Sequence, residues 1–416
     1  MTRILITGAG VICSIGAGVA EFERALYAGV TGVGPSQMFG ESAATAEIRD
    51  FSPQPWLGNK GIRVLDRVAR LLCVSAHMAL CGSGLARADA SEADPDIGIV
   101  WGTLLGSVHS IASFDWSGLV DGPNYVNPMD FPNTVINSAA GQAAIKFKLG
   151  GVNSTICAGG ASGLYALHYA AEFLRLGRAR ILLAGGAEEL SEESLVGFRK
   201  SGYASPSGCP RPFDSERDGP VPGEGAALLI LESEETARQR GTQPWAEISG
   251  FGCAQDAHSA RAFHLRAEGA SEAIRIAMES AEIEPRQVAC IVSAGSGSPA
   301  GDEMEARALA NVFGACLAEI PTCAPKAAVG ETLGAAGALG ALIGAMALRR
   351  QSAPPTAGLR DGNPSRDRKR ATFPGGIRLA AEEQDFQGEY ALVNAFSCDG
   401  NNAAMILRRV ASEPLP

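Results

Sequence analysis

The chain has 416 residues, 46% of them hydrophobic and 19% charged, and carries a formal net charge of −10. That length buries a large core, as two packed units or one large α/β domain, and the acidic balance excludes nucleic acid, which wants a basic surface. Ten cysteines lie scattered without CxxC pairs, so neither a zinc site nor a disulfide framework is expected, and no cofactor is implied.

In chain order, "RILITGAGVI" predicts a strand ending in glycine, and "VAEFERALYAGV" follows with helical spacing. The N-terminal stretch is too broken by glycine for a signal peptide, and cytoplasm is the expected compartment. "DIGIVWGTLLGS" reads as strand, turn and helix start; "NSTICAGG" leads into the helix "ASGLYALHYAAEFLRLG"; "ARILLAGGAEE" and "GAALLILES" read as buried strands. "RQRGTQP" is the expected linker, after which the pattern resumes. "WAEISGFGCA" is a strand, "GASEAIRIAMESA" a helix, "VACIVSAGSG" a strand and "EMEARALANVFG" a helix. "LGAAGALGALIGAMAL" (333–348) comes nearest to a membrane span of about 18 apolar residues, but its alanines and glycines suit a buried helix. "EYALVNAFSCDGNNAAMILRR" closes the chain as a hairpin. This alternation implies α/β layers with buried sheets, in two halves of similar grammar, 1–240 and 241–416.

One cysteine, Cys157, stands in a glycine-rich strand-to-helix turn. Such a turn suits a nucleophilic thiolate, which a helix N-terminus favours. Four further blocks decide how to read it. "CPRPFDSERDGPVPGEGAALLILE" (209–232) resembles the Arg-Pro-Phe-Asp, Arg-Asp-Gly and Gly-Glu-Gly-Ala signature of β-ketoacyl synthases. "GSGSPAGDEMEARAL" (295–309), "PKAAVGETLGAAGAL" (325–339) and "NAFSCDGNNAAMIL" (394–407) resemble that family's later segments, in family order. The resemblance implies a thiolase-like α/β fold, a duplicated five-layer αβαβα body and a dimer. It also implies chemistry by one cysteine, which takes the acyl chain, and two histidines, which assist decarboxylation of the malonyl thioester.

Each of those positions departs from the family. Counted back from "GLYAL" without gaps, the nucleophile position falls on Gly160; Cys157 lies three residues earlier, within the incoming strand, and reads as a small buried apolar residue. The first histidine position is Ala294 and the second Glu331. The histidines are His77, His109, His168, His258 and His264, and residues 265–416 contain none. Lys326 and Glu305, supporting positions in the family, are retained and read as structural. The family's gating phenylalanine falls on Cys398, within Ser397-Cys398-Asp399-Gly400.

A family fold with an emptied site resembles the chain length factor of type II polyketide synthases, which pairs with an active ketosynthase and bounds the acyl tunnel. "NPMDFPNTVINSAAGQAA" (127–144) looks closer to branches that make reduced, polyene-like chains than to the aromatic branch. By that resemblance the helix after "WGTLLG" lies near the interface and the tunnel end, with Leu105, Val108, Ala112 and Trp116 as its lining. The strand near Asn153 to Ala158 would be buried against the partner. Carrier protein, which is acidic, would dock mainly on that partner, and the basic run Arg366, Arg368, Lys369 and Arg370 reads as a solvated loop. Two alternatives stay open: an atypical condensing or acyl-transfer enzyme using Cys157 with Glu331, and a scaffold that only stabilises its partner.

Overall fold

Two sets of five strands carry the architecture. The computed structural model describes residues 2–40, 43–87, 91–359 and 376–410, so the run Arg366 to Arg370 lies outside the described residues. The first set is β1 (Ile4–Cys13), β2 (Ile97–Gly102), β3 (Asn153–Ile156), β4 (Ile181–Glu188) and β5 (Gly225–Ser233). The second is β6 (Ala246–Gln255), β7 (Val288–Val292), β8 (Pro321–Cys323), β9 (Tyr390–Phe396) and β10 (Asn401–Arg409). In space the sets run β3-β2-β4-β5-β1 and β8-β7-β9-β10-β6. Counted within each set, both orders are third, second, fourth, fifth, first. Pairing directions repeat too: the third, second and fourth strands are mutually parallel, while the fifth is antiparallel to both its neighbours. The halves are a structural duplication.

β1 and β6 also pair, but only over Ile4 to Ile6 against Ala246 to Ile248, so one continuous sheet splays into two. The stretch expected as a linker, residues 238–244, joins the two sets as a short ordered connection. Its arginines end the helix Glu234–Arg240, Gly241 caps it in the left-handed conformation, and Trp245 N–H donates to Ile6 O. Pairing of β6 with β1 leaves no slack for a flexible joint.

The helices that matter here are α1 (Arg67–Gly82), α2 (Val108–Val120), α3 (Ser138–Phe147), α4 (Ser162–Arg175), α5 (Glu268–Ser280), α6 (Pro299–Phe313) and α7 (Ala336–Arg350). Buried clusters define the layers. α1 and α3 pack on the outer face of the first sheet, and α5 and α6 on that of the second. α4 and α7 fill the space between the sheets. Strands covered on both faces read as continuous apolar runs, which is why "AALLIL" shows no alternation. The apolar run of α7 is likewise core: every residue from Gly337 to Leu348 is buried. Its small residues let it touch α4. A Cβ on Gly163 would lie 2.8 Å from Gly334 O, and one on Gly337 2.8 Å from Leu164 N.

One region stays uncovered. No residue of 108–138 is buried, although the segment is rich in apolar side chains. Trp116 is 68% exposed, and Leu119, Val120, Tyr125, Met129 and Phe131 are exposed beside it. Core packing therefore does not account for α2. β3, the adjoining edge strand, pairs only with β2.

Glu188 and Glu189 end β4 inside the protein. Glu189 accepts from Val68 N–H at 3.0 Å, holding the start of α1, and burial pushes its carboxyl up to about 8, with Asp66 adding to the effect. A carboxyl raised in the folded state favours folding when protonated, so its contribution is full below about 4.5 and declines as pH rises towards 8. Glu189→Gln, which keeps the acceptor oxygen, should lose less stability between pH 5.5 and 8.5 than the parent does. Urea midpoints at both pH values read this out, and an unchanged decline would refute the assignment.

Candidate functional site

The turn after β3 is built by hydrogen bonds that leave no slack. Ser162, at the start of α4, accepts from Ala158 N–H at 2.9 Å and lies 2.6 Å from Gly159 O, and Ala158 and Gly160 form an isolated bridge. Gly159 has φ +59, and a Cβ there would overlap Ser397 Oγ and lie 2.6 Å from Asp399 Oδ2. Gly160 differs. Its φ is ordinary, and the nearest atom to a Cβ, Phe396 O, would be 3.7 Å away. A side chain fits at Gly160; the sequence supplies none. Its N–H donates to Ser397 Oγ at 3.1 Å, so the gate segment caps the turn directly.

Gly160, Ala294 and Lys326 come together around one small pocket, with Ser293, Thr332 and Asn394 on its polar side and Val329, Ala336 and Leu339 on its apolar side. Glu331 stands behind Lys326. Its carboxylate accepts from Lys326 Nζ at 2.7 Å and from Leu333 N–H at 3.1 Å, and its backbone pairs with Val221 and Gly223. The pair is almost buried, so each charge neutralises the other where water cannot. Glu305 accepts from Ala294 N–H and from Asn394 Nδ2, both at 2.9 Å, and burial pushes its carboxyl up to about 7. Asp302 accepts from Phe213, Ser296 and Gly297 N–H groups, fixing the loop before α6.

Cys157 is not buried, contrary to the sequence reading. β3 ends at Ile156, so Cys157 follows the strand rather than lying in it, on an edge with no neighbouring strand, and is exposed. Its Sγ lies 3.6 Å from Leu104 O. Partial burial raises its thiol above the ordinary range, the charges of Glu188 and Asp399 raise it further, and only Gly159 N–H opposes them. That is the reverse of an activated thiol. Cys398 is half-buried at the gate position, raised by burial, Asp399 and Glu331.

Leu105, Val108, Ala112 and Trp116 line none of the pocket around Gly160. Leu105 precedes α2; its N–H donates to Glu188 at 2.9 Å. Val108, Ala112 and Trp116 follow at four-residue spacing on a helix with no buried residue. Sequence reasoning missed the buried carboxylate Glu188, which binds Thr103 Oγ1 and the N–H groups of Leu104, Leu105 and Gly334. The only signal was a pair of glutamates ending a buried strand. Sequence reasoning placed Ser397 and Asp399 in the gate segment, but their contacts with Gly160 and Gly159 depend on the fold.

Residues 1–237 match the model of the β-ketoacyl synthase N-terminal domain and residues 245–360 that of its C-terminal domain. The 3-oxoacyl-[acyl-carrier-protein] synthase 2 of Coxiella burnetii is 33% identical over 98% of this chain and 99% of its own. Among solved structures, the ishigamide ketosynthase/chain length factor superposes with TM-score 0.88 at 29% identity, covering 99% of this chain and 100% of that one. A β-ketoacyl synthase from Burkholderia phymatum gives 0.87 at 31% identity over the same shares.

Because Gly160 has room for a side chain and Gly159 has neither room nor an allowed φ, two neighbouring substitutions should differ sharply. Gly160→Cys should change stability by less than about 1 kcal/mol, while Gly159→Ala should cost about 1–2 kcal/mol or more. Urea denaturation separates them, and equal costs would contradict the turn geometry.

Proposed function

We propose, from the premise that the chain belongs to the β-ketoacyl synthase family, that it is a noncatalytic, length-setting subunit of a heterodimeric ketosynthase in a type II polyketide pathway, of the polyene or reduced type. One observation carries this reading: the three positions that the family's chemistry needs hold glycine, alanine and a lysine-paired glutamate within an intact fold. Glycine offers no nucleophile and alanine no donor. The Glu331 carboxylate is committed to Lys326, so neither can serve as the imidazole that would stabilise an enolate.

The uncovered segment 108–138 and the β3 edge support a partner. Large apolar side chains such as Trp116 and Leu119 are exposed there, and clustered exposed apolar groups favour association. Obligate interfaces of this kind commonly exceed about 2,000 Å². On this reading the partner closes a tunnel over Leu105, Val108, Ala112 and Trp116 and supplies the catalytic cysteine and histidines. The net charge of −10 opposes acidic carrier protein, which docks mainly on the partner. The name of the Coxiella relative favours the competing reading, an elongating synthase; Cys157 is the cysteine nearest in sequence to the family's nucleophile position.

Acylation separates the two. With acyl- and malonyl-carrier protein, the pure chain should form no acyl-enzyme and no elongated product. Cys157→Ala should leave the turnover of a complex with a Cys-His-His ketosynthase unchanged. Turnover by the pure chain that Cys157→Ala abolishes would sink the proposal.

Chain length tests the tunnel. In that complex Trp116→Ala should shift products to longer chains and Leu105→Trp to shorter ones, since packed interiors do not breathe enough to admit an extra two-carbon unit. Gel filtration confirms that the complexes are intact. Intact complexes with an unchanged product distribution would remove these residues from the tunnel floor.

A further inference from the structure

Three polar side chains that line the pocket around Gly160 are shut away from bulk water. Thr332 is fully buried, and Ser293 and Asn394 are each 4% exposed. They come from three segments of the chain. β7 and β9 run parallel with Val292 opposite Val393, so the residues that follow, Ser293 and Asn394, lie side by side. Thr332 precedes the short turn Leu333–Ala335 that leads into α7. Among the described residues Ser293 Oγ, Thr332 Oγ1 and Asn394 Oδ1 have no hydrogen-bond partner. Asn394 donates from Nδ2 to Glu305 Oε1 at 2.9 Å, which orients the amide and leaves Oδ1 as an acceptor. Lys326, which also lines the pocket, is paired with Glu331.

Leaving one such buried atom unpaired lowers the folding equilibrium constant by about fivefold to a hundredfold. Native interiors therefore pair these atoms with protein groups or with ordered water. The pocket offers about 10 Å³ to the centre of a water molecule, room for one water and not for a larger solute. We infer that this pocket is a binding site for a single ordered water, which donates to Asn394 Oδ1 and accepts from the Ser293 and Thr332 hydroxyls. Three bonds are the usual number for a buried water. Ala294, at the family's first histidine position, lines the same pocket, so a water rather than a side chain links β7, β9 and the turn before α7. The site needs only these side chains and stands whether or not the chain pairs with a ketosynthase.

The test compares the full chain with Thr332→Val, Ser293→Ala and the double variant by urea denaturation. Thr332→Val keeps the shape of the side chain and removes only its hydroxyl. If that hydroxyl holds the water, the folding equilibrium constant should fall by about fivefold or more. The double variant should lose less than the product of the two single effects, because both hydroxyls share one ligand. A hydroxyl with no ligand behaves in the opposite sense, since removing it relieves an unpaired buried group. Crystals of the full chain supply a readout that needs no variant: one ordered solvent peak within about 3.2 Å of both Thr332 Oγ1 and Asn394 Oδ1. A Thr332→Val chain as stable as the parent or more so, single effects that simply multiply, or no ordered solvent between those atoms would overturn the inference.

Discussion

The buried carboxylate of Glu188 ties the two halves of the molecule together. It sits at the end of β4, and burial pushes its pKa up, against the opposing hydrogen bonds from the Thr103 hydroxyl and the N–H groups of Leu104, Leu105 and Gly334. Three of those donors belong to the loop leading into α2, and the fourth opens the approach to α7. One acceptor thus fixes the entry to the uncovered apolar helix and the start of the central helix at once. Buried charge of this kind persists only where hydrogen bonds replace lost solvation. Glu224 repeats the device, accepting from Arg67, Ile48 and Leu190.

The pocket around Gly160 follows the same logic. A site that lost its reacting groups while leaving buried charge unmatched would be unstable. Here Glu331 faces Lys326, Glu305 holds Ala294 and Asn394, and Ser397 caps Gly160. Glu331, the one charged departure, is thus paired, while among the described residues Glu305 Oε2 and Asn394 Oδ1 stay buried without a hydrogen-bond partner. The loop geometry survives because it rests on backbone acceptors and buried carboxylates, not on the residues that would do the chemistry.

What is missing from the pocket stands against what is in excess on the surface. Among the described residues no side chain of 108–138 is fully buried, several large apolar ones are exposed, and β3 offers an unpaired edge. Sheet edges and apolar helices left open favour association.

The sequence by itself determined the fold class and the buried character of the strands and of α7. Those properties are local: apolar runs, helical spacing and short motifs each lie within a few tens of residues. Gly160, Ala294 and Glu331 were legible because motifs fix their positions without regard to contacts. Tertiary structure decided the rest. The exposure of Cys157 depends on β3 being an edge strand, the order of the linker depends on the pairing of β6 with β1, and the bareness of α2 depends on what packs above it. The roles of Glu188, Ser397 and Asp399 arise from contacts between segments 83 to 240 residues apart. A linear pattern specifies which side chains prefer burial, but only the closed sheet fixes which of them find a neighbour.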